Sequence, residues 1–307
     1  MINQVILQKS QEQWNKANET NSLQAPFYTW QWHNAWQTVF GNSFEPYYLS
    51  INNTVIAPFI KKDQTVMWSG GEEIADYLDS IGPEEEKKSA WPEIIEYLKK
   101  EKINSINLRN IPENSSTITF FKTLPNAKII QEDTTPKIEL PSTWNTYLES
   151  LEHKNHHELE RKVRKFEREQ KEIVMYDSTD PVADTDLFLS LMKLDERKKI
   201  FLTYDMELFF RNMIKTFQKN IILTILTISG IPAATMLAFH WEDSLMGYNS
   251  GFDEQQFSGA GFYLKSMHIK RAIENNIKTY NFLQGNERYK YELGGKDYFV
   301  YSIQNQL

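Results

Sequence analysis

Apolar positions along this chain fall into short runs separated by amphipathic stretches, and the order of these segments occurs twice. A short apolar segment at residues 4–7 opens the first half. Helical stretches follow, the second over about 28–40, with Trp30, Trp32 and Trp36 among its aromatics. Residues 47–51, 54–61 and 65–68 read as a meander of strands. Asn52-Asn53 suits the tight turn between the first two, because Asn tolerates positive φ. Trp91, Ile94, Ile95 and Leu98 recur at helical spacing and predict a helix over 84–100. A strand at 105–108, a short helix at 116–124 and a strand at 127–130 complete the half.

The second half repeats that order. Residues 173–176 predict a strand, 183–198 and 205–217 helices, and 221–228, 233–241 and 245–252 a second meander. A glycine-bearing loop, a helix over 261–275, a strand over 278–283 and a last strand over 298–303 follow. Between the halves, residues 151–171 predict a charged helix with a narrow apolar stripe at Leu159, Val163 and Phe166. Pro136 and Pro141 punctuate the boundary. At 307 residues the chain has room for two domains, expected over 1–145 and 146–307.

Composition narrows the classes. With 40% hydrophobic, 13% aromatic and 24% charged residues, the chain is neither collagen-like nor largely disordered. A net charge of −7 argues against a broad nucleic-acid footprint. The absence of cysteine removes disulfides, Cys-zinc sites, iron–sulfur clusters and a cysteine nucleophile. Residues 1–13 lack the pattern of a secretory signal, and every apolar run is far shorter than the ~20 residues of a membrane helix. A soluble cytoplasmic monomer is expected.

The sharpest local signal is Gln256-Phe257-Ser258-Gly259-Ala260-Gly261, a Q-x-x-G-x-G pattern between a predicted strand and a predicted helix. A helix N-terminus offers unpaired N–H groups and the positive end of the helix dipole, and glycines admit a phosphate close to the backbone. No Lys-Ser/Thr follows, so it is not a Walker A loop, and the preceding meander excludes a dinucleotide-binding fingerprint. The alternative is a tight turn whose glycines serve geometry alone.

A meander followed by Q-x-x-G-x-G, a helix and a strand resembles the GNAT acyltransferases. The stretch Tyr280-Asn281-Phe282-Leu283-Gln284-Gly285-Asn286-Glu287-Arg288-Tyr289-Lys290 resembles the DFL-x-G-x-E-x-YK block of the CelD-like GNAT subfamily, a relative of the Fem-type peptidoglycan aminoacyltransferases. Pro26-Phe27-Tyr28-Thr29-Trp30-Gln31-Trp32, Asp76-Tyr77-Leu78-Asp79 and Tyr248-Asn249-Ser250-Gly251-Phe252-Asp253 fit the same likeness, which runs from about residue 25 to 295. Asn281 stands where the pattern has Asp, so this chain carries no charge at that position.

The resemblance implies an α/β fold: a tandem pair of GNAT-like domains, each a mixed, mostly antiparallel sheet flanked by helices. It implies acetyl-CoA or another acyl-CoA as donor, an amine of a small molecule, sugar or cell-envelope precursor as acceptor, and no metal. The donor would lie on Gln256, Ser258, Gly259, Ala260 and Gly261, with Asn249 and Ser250 near the thioester. The first half has Asp79-Ser80-Ile81-Gly82-Pro83 in the equivalent place, where a carboxylate would repel phosphate. That half is expected to form a wall of the acceptor site, with Asp76 and Asp79 as partners for a cationic amine and Trp32 as an aromatic platform. Capping for the aspartates and core packing for Trp32 are the alternatives.

Amine acylation needs a proton acceptor and donors for the tetrahedral oxyanion. Glu287 is a candidate base, Tyr289 a candidate acid for the thiolate, and Lys290 a candidate to polarise the carbonyl or hold phosphate. A solvated Glu–Lys turn is the alternative. His153, His156 and His157 on the charged helix do not form an expected metal site. Two other readings stay open: a Fem-type transferase taking aminoacyl-tRNA, and a non-catalytic GNAT-like protein that aids polysaccharide synthesis.

Overall fold

The computed structural model describes Met1–Leu307, the side chain of Gln8 excepted. The chain forms two compact units: unit 1 is Met1–Thr134 with Tyr298–Leu307, and unit 2 is Thr135–Asp297. Each is built on one mixed sheet flanked by helices.

Unit 1 begins with β1 (Ile2–Val5), β2 (Glu45–Ile51), β3 (Val55–Lys62) and β4 (Thr65–Trp68), antiparallel in that order. Asn52 and Asn53, at φ 52° and 60°, make the β2–β3 turn, as their residue type predicts. The helix Glu84–Lys100 crosses over to β5 (Ser105–Pro112), which pairs parallel with β4, and β6 (Lys128–Thr134) follows. Lys87, Trp91, Ile94 and Leu98 form the buried stripe of that helix, spaced i, i+4, i+7, i+11.

Unit 2 repeats the scheme. Its strands are β7 (Lys137–Glu139), β8 (Ile173–Asp177), β9 (Ile221–Ile228), β10 (Ile231–Trp241), β11 (Ser244–Phe252) and β12 (Thr279–Asn281). β8 to β11 form the antiparallel meander, and the helix Ala260–Glu274 crosses over so that β12 pairs parallel with β11. That helix buries Leu264, Ile269, Ala272 and Ile273 in a core with Met236, Ala238, Leu245 and Tyr280.

Three features differ from the sequence pattern. The helix expected over 183–198 breaks into Thr185–Met192 and Glu196–Phe201. Asp195 causes the break by capping: its Oδ1 accepts the N–H groups of Arg197 and Lys198 at 2.9 and 3.0 Å. The stretch between Pro136 and Pro141 contains a strand, β7, which pairs antiparallel with β12. The last strand, β13 (Phe299–Gln306), falls in the C-terminal half of the sequence but lies between β5 and β6, antiparallel to both, in the sheet of unit 1. The compact units therefore do not follow the 1–145 and 146–307 halves.

Candidate active site

In unit 2 the parallel ladder between β11 and β12 is short, joining residues 244–246 to 279–281. A bulge lies just beyond it: Leu237 of β10 faces Asn249 while Ala238 faces Gly247, so Tyr248 is the extra residue. β11 thus continues through Asn249, Ser250 and Phe252 past the end of its parallel partner. Lys198, placed by the Asp195 cap, donates its Nζ–H to the Ser250 carbonyl.

The Q-x-x-G-x-G loop follows directly. Asp253 Oδ1 accepts Gln256 N–H at 2.9 Å and starts the turn. Gly259 caps the helix Ala260–Glu274 at φ 88°, a left-handed conformation that favours glycine. Gln256 and Ser258 are exposed, while Ala260 and Gly261 are buried. One residue that the motif does not include acts on it. Glu254 accepts Ser258 Oγ–H at 2.8 Å on Oε1, and Gly259 N–H at 3.1 and 3.2 Å on its two oxygens. The loop therefore holds an anion already, supplied by its own chain.

Beyond β12, Glu287 occupies the position before the short helix Arg288–Glu292, with no side-chain hydrogen bond to its first turn. Lys290 is 2% exposed and folds back over the preceding turn. Its ammonium donates to the carbonyls of Leu283, Gln284 and Gly285 at 3.0, 2.7 and 3.0 Å and meets Glu287 Oε2 at 3.0 Å. With all its N–H groups taken, it clamps the turn. Gly285, at φ 115°, gives the turn its shape, and a Cβ there would lie 2.5 Å from Glu287 Oε2. Burial pushes the Glu287 carboxyl up, but Lys290 and Lys198 outweigh it, and the group sits below its ordinary range. Burial, with Glu287 nearby, pushes the Tyr289 phenol well above its ordinary value, so it stays protonated.

Sequence reasoning passed over Lys265. It is 7% exposed on the helix that the glycine loop opens. Its Nζ lies 4.9 Å from the Phe252 ring centroid and 4.8 Å from that of Tyr289. Burial first, then Lys198 and Lys290, lower its amine to about 7 against the upward pull of Glu287 and Glu254. The signal was present in the sequence: Gly261, Lys265, His268 and Ala272 are spaced i, i+4, i+7, i+11, which places a lysine on a buried stripe.

The other residues singled out, Trp32, Asp76 and Asp79, belong to unit 1. Trp32 is fully buried, donates Nε1–H to the Gly70 carbonyl at 2.9 Å and packs edge-on against Phe27. Asp79, 3% exposed, pairs with buried Lys87 at 3.1 Å and accepts from Ser115 Oγ, Thr117 Oγ1 and Ser80 N–H at 2.6, 2.5 and 2.8 Å. Its carboxylate is enclosed by the core of unit 1. Asp76 is half-buried.

The charged helix is His153–Glu169. Arg161, Lys162, Arg164, Lys165 and Arg168 each lie within 4.0 Å of a carboxylate, so little of its positive charge is unpaired. Among the described residues no group of three or more His, Asp or Glu is placed to hold a metal ion, and no helix is long and apolar enough to cross a membrane.

This arrangement, a bulged β11 that outruns its parallel partner, a glycine-bent loop and a helix N-terminus, lies inside a region with a family match. Residues 153–291 match the family described as the acetyltransferase (GNAT) domain. That match covers less than half of the chain and marks an acyltransferase domain in unit 2, and the two-sheet architecture is that of a tandem GNAT-like pair. Solved structures agree on the fold. FemX is similar at a TM-score of 0.64 and 13% identity, over 98% of this chain and 96% of that one. The C-terminal domain of a putative lysylphosphatidylglycerol synthetase from Agrobacterium fabrum is similar at 0.65 and 9%, over 98% and 93%. A tandem GNAT protein from the clavulanic acid biosynthesis pathway is similar at 0.52 and 9%, over 100% and 98%. No curated protein matches the sequence.

Proposed function

We propose that the protein transfers an acyl group, acetyl in the simplest case, directly from coenzyme A to an amine of a small molecule, sugar or cell-envelope precursor. The observation that carries this reading is the glycine-bent loop opening the helix Ala260–Glu274, directly after the stretch of β11 that outruns its parallel partner. A pyrophosphate would take the place of the Glu254 carboxylate at the Gly259 N–H, and the Cβ position of Gly259 has a single neighbour, Phe166, at 3.7 Å. The β11 edge around Asn249 and Ser250, beyond its parallel ladder, would lie along the acyl-bearing arm, with the Ser250 carbonyl already holding Lys198. Tyr289 supplies a proton to the departing thiolate, and Lys290 and Glu287 hold the turn that presents it. The block at residues 280–290 supports a CelD-like member of the class.

Glu254 favours a second donor. A carboxylate on Gly259 N–H opposes a pyrophosphate but not a donor that brings none to this loop, and aminoacyl-tRNA is that alternative. The paired charges of the helix His153–Glu169 count against it.

Calorimetry with coenzyme A and acetyl-CoA tests the first reading. The wild type is expected to bind in roughly the micromolar range, where many substrate constants fall, and Gly259→Asp, its fold verified by circular dichroism, to lose binding. A wild type that binds neither ligand overturns the coenzyme A reading.

A further inference from the structure

Two buried lysines lie on the crossover helices of the two units, and their surroundings differ. Lys87 in unit 1 forms ion pairs with both Asp79 and Glu84. A buried lysine with two carboxylates is a structural ion pair, since its charge is matched where water is excluded. Lys265 in unit 2 is about as deeply buried, yet it has only the faces of Phe252 and Tyr289 against its amine. No hydrogen bond or ion pair from Lys265 is formed among the described residues. The charged and titratable groups facing it are Lys198 from the helix Glu196–Phe201, Glu287, Tyr289 and Lys290 from the segment after β12, and Glu254 from the glycine loop. Of these, Glu287 is tied to Lys290, and Lys290 to three carbonyls. Lys198 is tied to Ser250 O. Lys265 is therefore the amine in this cluster that is left to exchange a proton.

We propose that Lys265 is the catalytic base, taking the proton from the acceptor's ammonium before that nitrogen attacks the thioester. This rests on the acyl-transfer reading above. The neutral Lys265 amine accepts one proton from R–NH3⁺ and becomes an ammonium. The freed lone pair forms the N–C bond at the thioester carbonyl carbon. As the tetrahedral adduct collapses, the C–S bond breaks and its electron pair leaves on sulfur. The Tyr289 phenol protonates that thiolate and regains a proton from the adduct nitrogen. The products are the amide, the free thiol and protonated Lys265, which returns its proton to solvent. A base near the operating pH is the efficient one, and Glu287, held low, is a weaker candidate.

The test uses the whole protein with ¹³C-labelled lysine, following the Lys265 Cε resonance, assigned through Lys265→Arg, between about pH 5 and 11. The expected midpoint is about 7, with a shift of that resonance on adding coenzyme A. A midpoint above about 9, with coenzyme A bound by calorimetry, overturns the base and leaves the donor reading standing. No binding of coenzyme A with a midpoint near 7 overturns the donor reading and with it the role of Lys265 in this reaction. In acetyl transfer from acetyl-CoA to a panel of primary amines, Lys265→Arg should lower the rate by about 10²-fold or more, the usual scale of a general base. Ethylamine should partly restore Lys265→Ala, a rescue that a packing role does not give. An unchanged rate in Lys265→Arg overturns the proposal.

Discussion

Lys265 has a consequence for stability as well as for chemistry. Burial holds its amine at about 7 in the folded state against 10.5 in the unfolded chain. Between these values the unfolded state binds the additional proton, so stability rises with pH from about 7 to 10.5 and the cost is largest below that window. Lys265→Met keeps the length and removes the charge. It should raise the melting temperature at pH 6 by several degrees, at roughly 2 °C or more per kcal/mol, and by much less near pH 10. Melts of both proteins at the two pH values check this. A lysine that weakens its own fold is what an active site accumulates when function outranks stability. A Lys265→Met protein less stable than wild type at pH 6 would make Lys265 a packing residue.

At the scale of elements, the two crossover helices begin differently. The helix Glu84–Lys100 opens with three glutamates, and Glu84 Oε2 accepts Ser116 N–H at 2.8 Å. Carboxylates suit a helix N-terminus and repel phosphate from it. The helix Ala260–Glu274 has no acid in its first turn, and the carboxylate at its Gly259 cap, Glu254, comes from an exposed position on the loop. Glu254→Gln should tighten coenzyme A by about 2- to 5-fold at low salt, the worth of one charge at a helix terminus. A titration beside wild type measures this, and weaker binding would mean that Glu254 shapes the loop for the ligand. The loop itself was legible in the sequence because glycines and a helix start are local signals. Glu254 was not, since its return to Gly259 depends on the turn begun by Asp253. Lys290 reads as a free cation in a polar turn, and only the conformation at Gly285 shows that the carbonyls of 283–285 converge on it.

For the whole molecule, periodicity marked the strands but not their partners. The pattern at the C-terminus predicts a strand, and a strand's alternation does not say which sheet receives it. β13 completes unit 1 after the chain has built all of unit 2. It is central there: Val300 and Ile303 are fully buried, and both of its edges are paired, to β5 and to β6. Without it β5 and β6 each lose a ladder inside the sheet, and buried backbone groups left unpaired are costly. A fragment of residues 1–134 should therefore fail to fold, giving broad, poorly dispersed amide resonances and rapid proteolysis. Joining residues 298–307 to that fragment through a flexible glycine–serine linker should restore dispersion and resistance. Unit 2 contains its own β7 on the linker side and ends before β13, so residues 135–297 should be the better-folded single piece. If residues 1–134 fold as well alone as with the added strand, the sheet of unit 1 does not need its seventh member. The order of the chain would then set no constraint on folding, and the two units could be made separately.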